Sequence, residues 1–116
     1  MRRYTVGRAL VAATETSLFT VPNGMDINVT FIHMSNNGTV NAEGSVYYVD
    51  SSASSTVHFF NGAIFPKGET KSFNEIALVL KEGDTLKALG GSANMSIIVT
   101  FEMYPKIGTL SNGFGT

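Results

Sequence analysis

Alternation of apolar and polar side chains with a period of two is the feature that most restricts how this chain folds. It is clearest from 95 to 104, where Met95, Ile97, Val99, Phe101 and Met103 alternate with Ser96, Ile98, Thr100, Glu102 and Tyr104. Successive side chains of a β-strand point to opposite faces, so this spacing predicts a strand with one buried face. In 26–35 the same rule places Ile27, Val29, Phe31 and His33 on one face and Asn28, Thr30, Ile32 and Met34 on the other.

Shorter strand segments, each closed by turn-forming residues, fill much of the remaining chain. They cover 16–21, 44–50, 56–60, 63–65, 70–73, 76–80 and 85–89. The dipeptide Asn61-Gly62 accepts the positive φ angles of a tight turn and predicts a hairpin between 56–60 and 63–65. The polar loop 81–84 predicts another hairpin, between 76–80 and 85–89. Residues 8–15 are compatible with one turn of helix, and no segment has a sustained helical period.

This succession of short strands predicts an all-β fold, a single antiparallel β-sandwich that is jelly-roll-like, with about eight strands and extended termini. The chain has 116 residues, which fits one domain. We divide it into an N-terminal arm or edge strand in 1–14, the β-sandwich in 15–105 and a Gly-rich tail in 106–116. The predicted core consists of Val29, Phe31, Leu78, Leu80, Ile97, Val99 and Phe101.

Charge is scarce in this sequence. The formal net charge is −1, and 15% of the residues are charged, against roughly 25% in an ordinary soluble domain. Such a chain has no long-range field to attract nucleic acid or an anionic membrane, and no apolar run approaches the length of a membrane span. We therefore expect neither partner. The remaining polar positions are filled by Ser, Thr, Asn and Gly, which indicates either neutral loops or a surface that packs against neighbours.

Residue patterns for catalysis, metal binding or cofactor binding are missing from the sequence. Cysteine is absent, and the two histidines, His33 and His58, lie within predicted strands among apolar and aromatic neighbours. Metal-ligand spacings such as HxH or HExxH do not occur. The glycines at 83, 90 and 91 form no phosphate-binding loop. We predict a protein that is not an enzyme and has no catalytic residue, metal or cofactor.

Candidate partner-binding residues lie at the two ends of the chain and at one pair of tyrosines. Neighbouring residues of a strand point to opposite faces, so one of Tyr47 and Tyr48 is expected to face outward, where an aromatic ring can anchor a contact. The basic N-terminal region and the tail with its isolated apolar residues suit arms that reach over neighbours. We expect removal of 1–8 or 107–116 to leave the sandwich folded. The complete candidate set is Arg2, Arg3, Arg8, Tyr47, Tyr48, Leu110 and Phe114.

The strand and turn layout of 15–24, 29–36, 64–70 and 78–87 resembles that of small phage structural β-sandwich proteins. The resemblance covers roughly residues 15–103. It implies a non-enzymatic virion protein of the capsid decoration, cement or staple type, located on the capsid surface. Its partners would be the major capsid protein and copies of itself, as a homo-oligomer in the particle. A neck, tail or fibre component is one alternative. A carbohydrate-binding sandwich, with Tyr47, Tyr48 and Asp50 at the site, is another.

Overall fold

The computed structural model describes residues 2–106 of the chain. This part of the chain forms nine β-strands and no helix. In chain order they are β1 (Arg2–Ala9), β2 (Thr14–Thr20), β3 (Met25–Asn36), β4 (Ala42–Asp50), β5 (Ser55–Phe65), β6 (Thr70–Phe73), β7 (Leu78–Lys81), β8 (Thr85–Gly90) and β9 (Met95–Pro105).

The nine strands form two antiparallel sheets that pack face to face. The first sheet has the order β1-β9-β3-β6, with β7 also paired to β3, and the second has the order β2-β8-β4-β5. The short strands β6 and β7 pair with successive parts of β3, so together they fill one position of the first sheet. Counted in this way, each sheet has four strand positions, and their order is that of a jelly roll, in which only β4 and β5 follow each other within one sheet. The predicted all-β sandwich is confirmed.

The core lies between the sheets and is built from the apolar faces of alternate residues. Of the predicted core residues, Val29, Leu80, Ile97, Val99 and Phe101 are buried. Leu78 is half-buried and packs against this cluster. Other fully buried side chains come from both sheets and include Ile27, Ile32, Met34, Val46, Phe65, Leu86 and Met95.

The prediction that Phe31 lies in the core is wrong, because β3 contains a β-bulge. Its register against β9 shifts between Val29 and Phe31, so Thr30 is an extra residue without a partner. One extra residue reverses the faces of all that follow it. Beyond the bulge, Ile32 and Met34 are fully buried, and Phe31 is only half-buried.

The two predicted hairpins are also wrong. Strand β5 continues through Asn61-Gly62, where Ser45 of β4 stands opposite both residues. Gly62 supplies its positive φ of 69° to this bulge rather than to a turn. The loop 81–84 joins β7 in the first sheet to β8 in the second, so it connects the sheets and does not close a hairpin. Both errors arise because a local turn signal does not tell which strands pair.

The N-terminal region is an edge strand and not a free arm. All eight residues of β1 pair with β9, from Arg2 opposite Met103 to Ala9 opposite Ser96. The following connection crosses to the second sheet without a helical turn, and Leu10 within it is buried. At the other end, Lys106 is the last described residue, and the predicted contacts of Leu110 and Phe114 lie outside the described residues.

Candidate protein-binding surface

All three arginines of the protein lie on edge strand β1. Arg2, Arg3 and Arg8 are exposed, and this strand contains no acidic residue. Arg3 forms an ion pair with Glu102 of β9, with 3.1 Å between Nη2 and Oε2, and 66% of its side chain remains exposed. Arg8 donates a hydrogen bond to the carbonyl of the adjacent Gly7. Edge strand β1 therefore carries guanidinium groups on both faces: Arg2 and Arg8 lie on the same side as Tyr4 and Val6, and Arg3 lies on the opposite side.

Glu102 holds Arg3 in position on the outer face of the first sheet. Its second carboxylate oxygen accepts a hydrogen bond of 2.7 Å from the Tyr104 hydroxyl. The hydrogen bonds from Tyr104 and then from Arg3 hold the pKa of Glu102 below its ordinary value of 4.5. The carboxylate therefore stays ionised at neutral pH. It restricts one arginine of β1, because a guanidinium that already donates to a carboxylate has fewer free donors.

An apolar groove lies on the inner face of the first sheet, at the amino end of β1, where Arg2 and Tyr4 of this strand line it. It consists of two adjoining depressions that share Tyr4 and Met103, with volumes of about 210 and 330 Å³. Aromatic rings form its floor: Phe101 lies 4.5 Å from Phe19 and 5.5 Å from Tyr4, measured between ring centroids. Arg2 lines one end of it. The other lining residues are Thr20, Pro22, Met25, Ile27 and Pro105.

Among the four sheet edges, β1 presents the longest regular strand. It pairs with β9 over eight residues without a register shift. Strand β2 has one shift against β8, and β5 has two against β4. The edge made by β6 and β7 consists of two strands of four residues each. Bulges and short length are devices that keep an edge from pairing with another chain. Strand β1 has neither.

The predicted tyrosine pair divides between the two faces of the second sheet. Tyr47 points outward but is buried at 7% exposure, because its ring packs against His58 at 5.0 Å and its hydroxyl donates to the Glu15 carboxylate. Lys87 binds the other oxygen of Glu15 at 3.1 Å. Tyr48 packs toward the core and is half-buried. Neither ring is the freely exposed anchor that the sequence predicts.

Tyr48 instead lines a polar depression at one end of the sandwich, with a volume of about 410 Å³. Three acidic residues lie here, and protein groups already bind each of them. Asp84 is buried and accepts from the backbone of Ser51 and Lys81. Asp50 caps its own turn by accepting from the two residues that follow Ser51. Glu82 binds the Gly24 amide and the Lys106 ammonium. These acidic side chains therefore stabilise the loops at this end of the sandwich through hydrogen bonds and one ion pair.

His33 and Ser72 form a side-chain pair that was not predicted from the sequence. The Nδ1 atom of His33 lies 2.7 Å from the Ser72 hydroxyl, across the pairing of β3 with β6. A serine nucleophile needs such a base and also a group that orients it. Within residues 2–106, no carboxylate forms a hydrogen bond with His33. The pair was hidden in the sequence because 39 residues separate its members.

In the described part of the chain, no group of three or more His, Asp or Glu side chains is placed to hold a metal ion. That part also contains no helix that could span a membrane. No protein-family model matches the chain, and a search of curated proteins finds no similar sequence.

Proposed function

We propose that this chain is a non-enzymatic structural protein of a phage particle, which binds and stabilises the capsid shell. Its partners are the major capsid protein and other copies of itself. The observation that carries the proposal is edge strand β1, which combines a regular free edge, all three arginines and an adjoining apolar groove. A surface with exposed apolar and arginine side chains suits contact with protein, since arginine and aromatic residues dominate binding energy at interfaces.

The fold and the scarcity of charge also support this proposal. Jelly rolls are a frequent architecture of viral capsid proteins, although a fold alone does not determine function. With 15% charged residues, copies of the chain repel one another little when they are packed on a shell. A decoration protein gains avidity through repeated contacts, because each one makes the next effectively intramolecular.

The test is the location and copy number of the chain in purified particles of a phage that encodes it. Quantitative mass spectrometry and electron microscopy are expected to find copies spread over the whole shell. Copies confined to one vertex would instead assign the protein to the neck, tail or fibre. Particles without the protein would refute a structural role in the virion.

A carbohydrate-binding module is the second candidate, and the depression beside Tyr48 favours it. Its volume of about 410 Å³ is within the range of small-molecule sites, and it combines an aromatic ring with polar groups such as Asp50 and Lys81. A glycan array is the appropriate screen. Binding that is lost in Tyr48→Ala and kept in Arg3→Gln would favour this function over attachment through β1.

A further inference from the structure

We propose that the free edge of β1 binds an extended acidic segment of a partner protein, which adds to the first sheet as a further strand. Alternate apolar side chains of that segment occupy the groove between β1 and β2. The inference rests on the proposed function, in which this surface binds protein, and adds the chemistry of what it binds. Three features of β1 carry it: its backbone, the groove and its charge.

The backbone of β1 offers a regular template. A strand at a sheet edge leaves half of its N–H and C=O groups without a strand partner, and an extended peptide can pair with them. The unshifted register from Arg2 to Ala9 keeps these groups evenly aligned over eight residues. No other described strand pairs with this side of β1. The edge thus provides the main-chain hydrogen bonds that give strand addition its affinity.

The groove offers places for side chains. In an added strand, every second side chain points to the inner side of the sheet. There the strand meets Tyr4, Phe19 and Met103, which are half-buried, above the buried Phe101. These rings and the thioether can accept apolar side chains at alternate positions, which is how strand addition selects its sequence.

The charge of the edge selects acidic partners. Arg2, Arg3 and Arg8 place three guanidinium groups along one strand, and Glu102 is the carboxylate that pairs with one of them. A guanidinium presents a planar fork of donors that matches a carboxylate bidentately, which a lysine ammonium does not. Carboxylates at the two ends of the added segment would therefore pair with Arg2 and Arg8 on the inner side, and a carboxylate between them would pair with Arg3 on the outer side.

In two of the three registers with the greatest overlap, the same charges disfavour a second copy of β1 as the occupant. Antiparallel self-pairing centred between Thr5 and Val6 would set Arg3 opposite Arg8. Centred on Thr5, it would set Arg2 opposite Arg8. Like charges directly opposite each other destabilise a strand pair. Residues 107–116 of the chain contain no Asp or Glu, so they also lack the required chemistry.

The test uses the full chain and a synthetic peptide in which leucine and phenylalanine occupy alternate positions, with glutamate between them and at both ends. We expect chemical-shift changes and amide-exchange protection at β1, and loss of binding when alternate peptide nitrogens that face β1 are methylated. The variant Arg2→Gln, Arg3→Gln, Arg8→Gln should bind about tenfold more weakly or worse. A matched variant, Lys67→Gln, Lys71→Gln, Lys81→Gln, removes the same charge elsewhere and should change affinity less than about twofold.

If the two charge variants lose the same affinity for the peptide, net charge alone explains the effect, and the proposal is overturned. Peptide binding at another sheet edge would also overturn the proposal. So would equal binding by a peptide methylated on the nitrogens that face β1 and a peptide methylated on the alternate nitrogens that face away from it. If the peptide binds only after deletion of 107–116, the chain's own tail occupies the edge. If β1 is instead protected by concentration-dependent dimerisation, a second copy does. If the protein attaches to shells but does not bind the peptide, only this inference is refuted. If it binds the peptide but is absent from purified particles, only the virion function is refuted.

Discussion

Tyr47 is a buried residue whose polar hydroxyl is satisfied by a hydrogen bond. Its ring is covered by His58, and its hydroxyl reaches the carboxylate of Glu15, which Lys87 also binds. Burial, and then the hydrogen bond to Glu15, raise the pKa of Tyr47 well above its ordinary value of 10.0. The same hydrogen bond is the main cause that lowers the pKa of Glu15 below 4.5. The Tyr47 hydroxyl therefore stays protonated and the Glu15 carboxylate stays ionised over a wide pH range.

We expect this pair to contribute to the pH dependence of stability at both extremes. Because the folded-state pKa of Glu15 is lowered, its stabilisation is present above pH 4.5 and is lost as the pH falls through the lowered value. Because that of Tyr47 is raised, its stabilisation is present below pH 10.0 and is lost as the pH rises further. Urea denaturation of Tyr47→Phe should therefore show a flatter pH profile than that of the wild type.

Tyr48→Phe is the matched control for this measurement, since it removes the adjacent hydroxyl on the opposite face of β4. Its pH profile should follow that of the wild type. If Tyr47→Phe and the wild type lose stability in parallel at both extremes, the hydrogen bond between Tyr47 and Glu15 has no role in that loss.

At the scale of elements, the bulge in β3 decides which side chains make the core. Thr30 is the extra residue, and its hydroxyl donates to the carbonyl of Thr100 at 3.3 Å. Before it, Ile27 and Val29 point inward, and after it Ile32 and Met34 do. The bulge thus joins two apolar half-strands of opposite phase into one strand with a single buried face.

Two alanine variants test this assignment. Ile32→Ala should lower the free energy of unfolding by about 2–5 kcal/mol, because it leaves a cavity in the core. Phe31→Ala, next to it in sequence, should cost less than half of that, since its ring is half-buried on the outer face beside His33. Chemical denaturation measures both. If Phe31→Ala loses more free energy of unfolding than Ile32→Ala, the result would support the uninterrupted alternation that the sequence predicts.

At the scale of the whole molecule, the N-terminal segment is an integral part of the sandwich. Strand β1 pairs along its full length with β9, and its Tyr4 and Val6 pack against the core. The sequence-based expectation is that removal of 1–8 leaves the sandwich folded; the pairing of β1 instead predicts that this removal destabilises it. Within the described residues 2–106, the core residues of the sandwich all lie between Tyr4 and Met103.

We expect deletion of 107–116 to leave the free energy of unfolding within about 0.5 kcal/mol of the wild type, because a sequence with three glycines and few apolar residues has little apolar surface to bury. Deletion of 1–9 should destabilise the protein clearly, because it removes a complete edge strand and uncovers Phe101. Thermal and urea denaturation, followed by far-UV circular dichroism, compare the two truncations. Comparable losses would mean that the tail supports the fold as β1 does.

The sequence by itself determined the fold class and part of the core. Strict alternation from 95 to 104 requires a half-buried strand, and it correctly assigned Ile97, Val99 and Phe101 to the interior. Periodicity is a local property of the backbone, so it can be derived without knowledge of partners. The arginines at 2, 3 and 8 were likewise visible as candidates, because their clustering is a fact of composition.

Strand pairing was decided only in the tertiary structure. Asn61-Gly62 suits a hairpin and a bulge equally well, and only the opposing Ser45 selects the bulge. The phase change at Thr30 depends on where β9 lies, and the burial of Tyr47 depends on Glu15 and His58 from two other strands. The groove beside β1 joins residues from the two ends of the described chain, such as Arg2 and Pro105. Contacts between distant segments cost chain entropy that the whole fold must offset, so no local pattern encodes them.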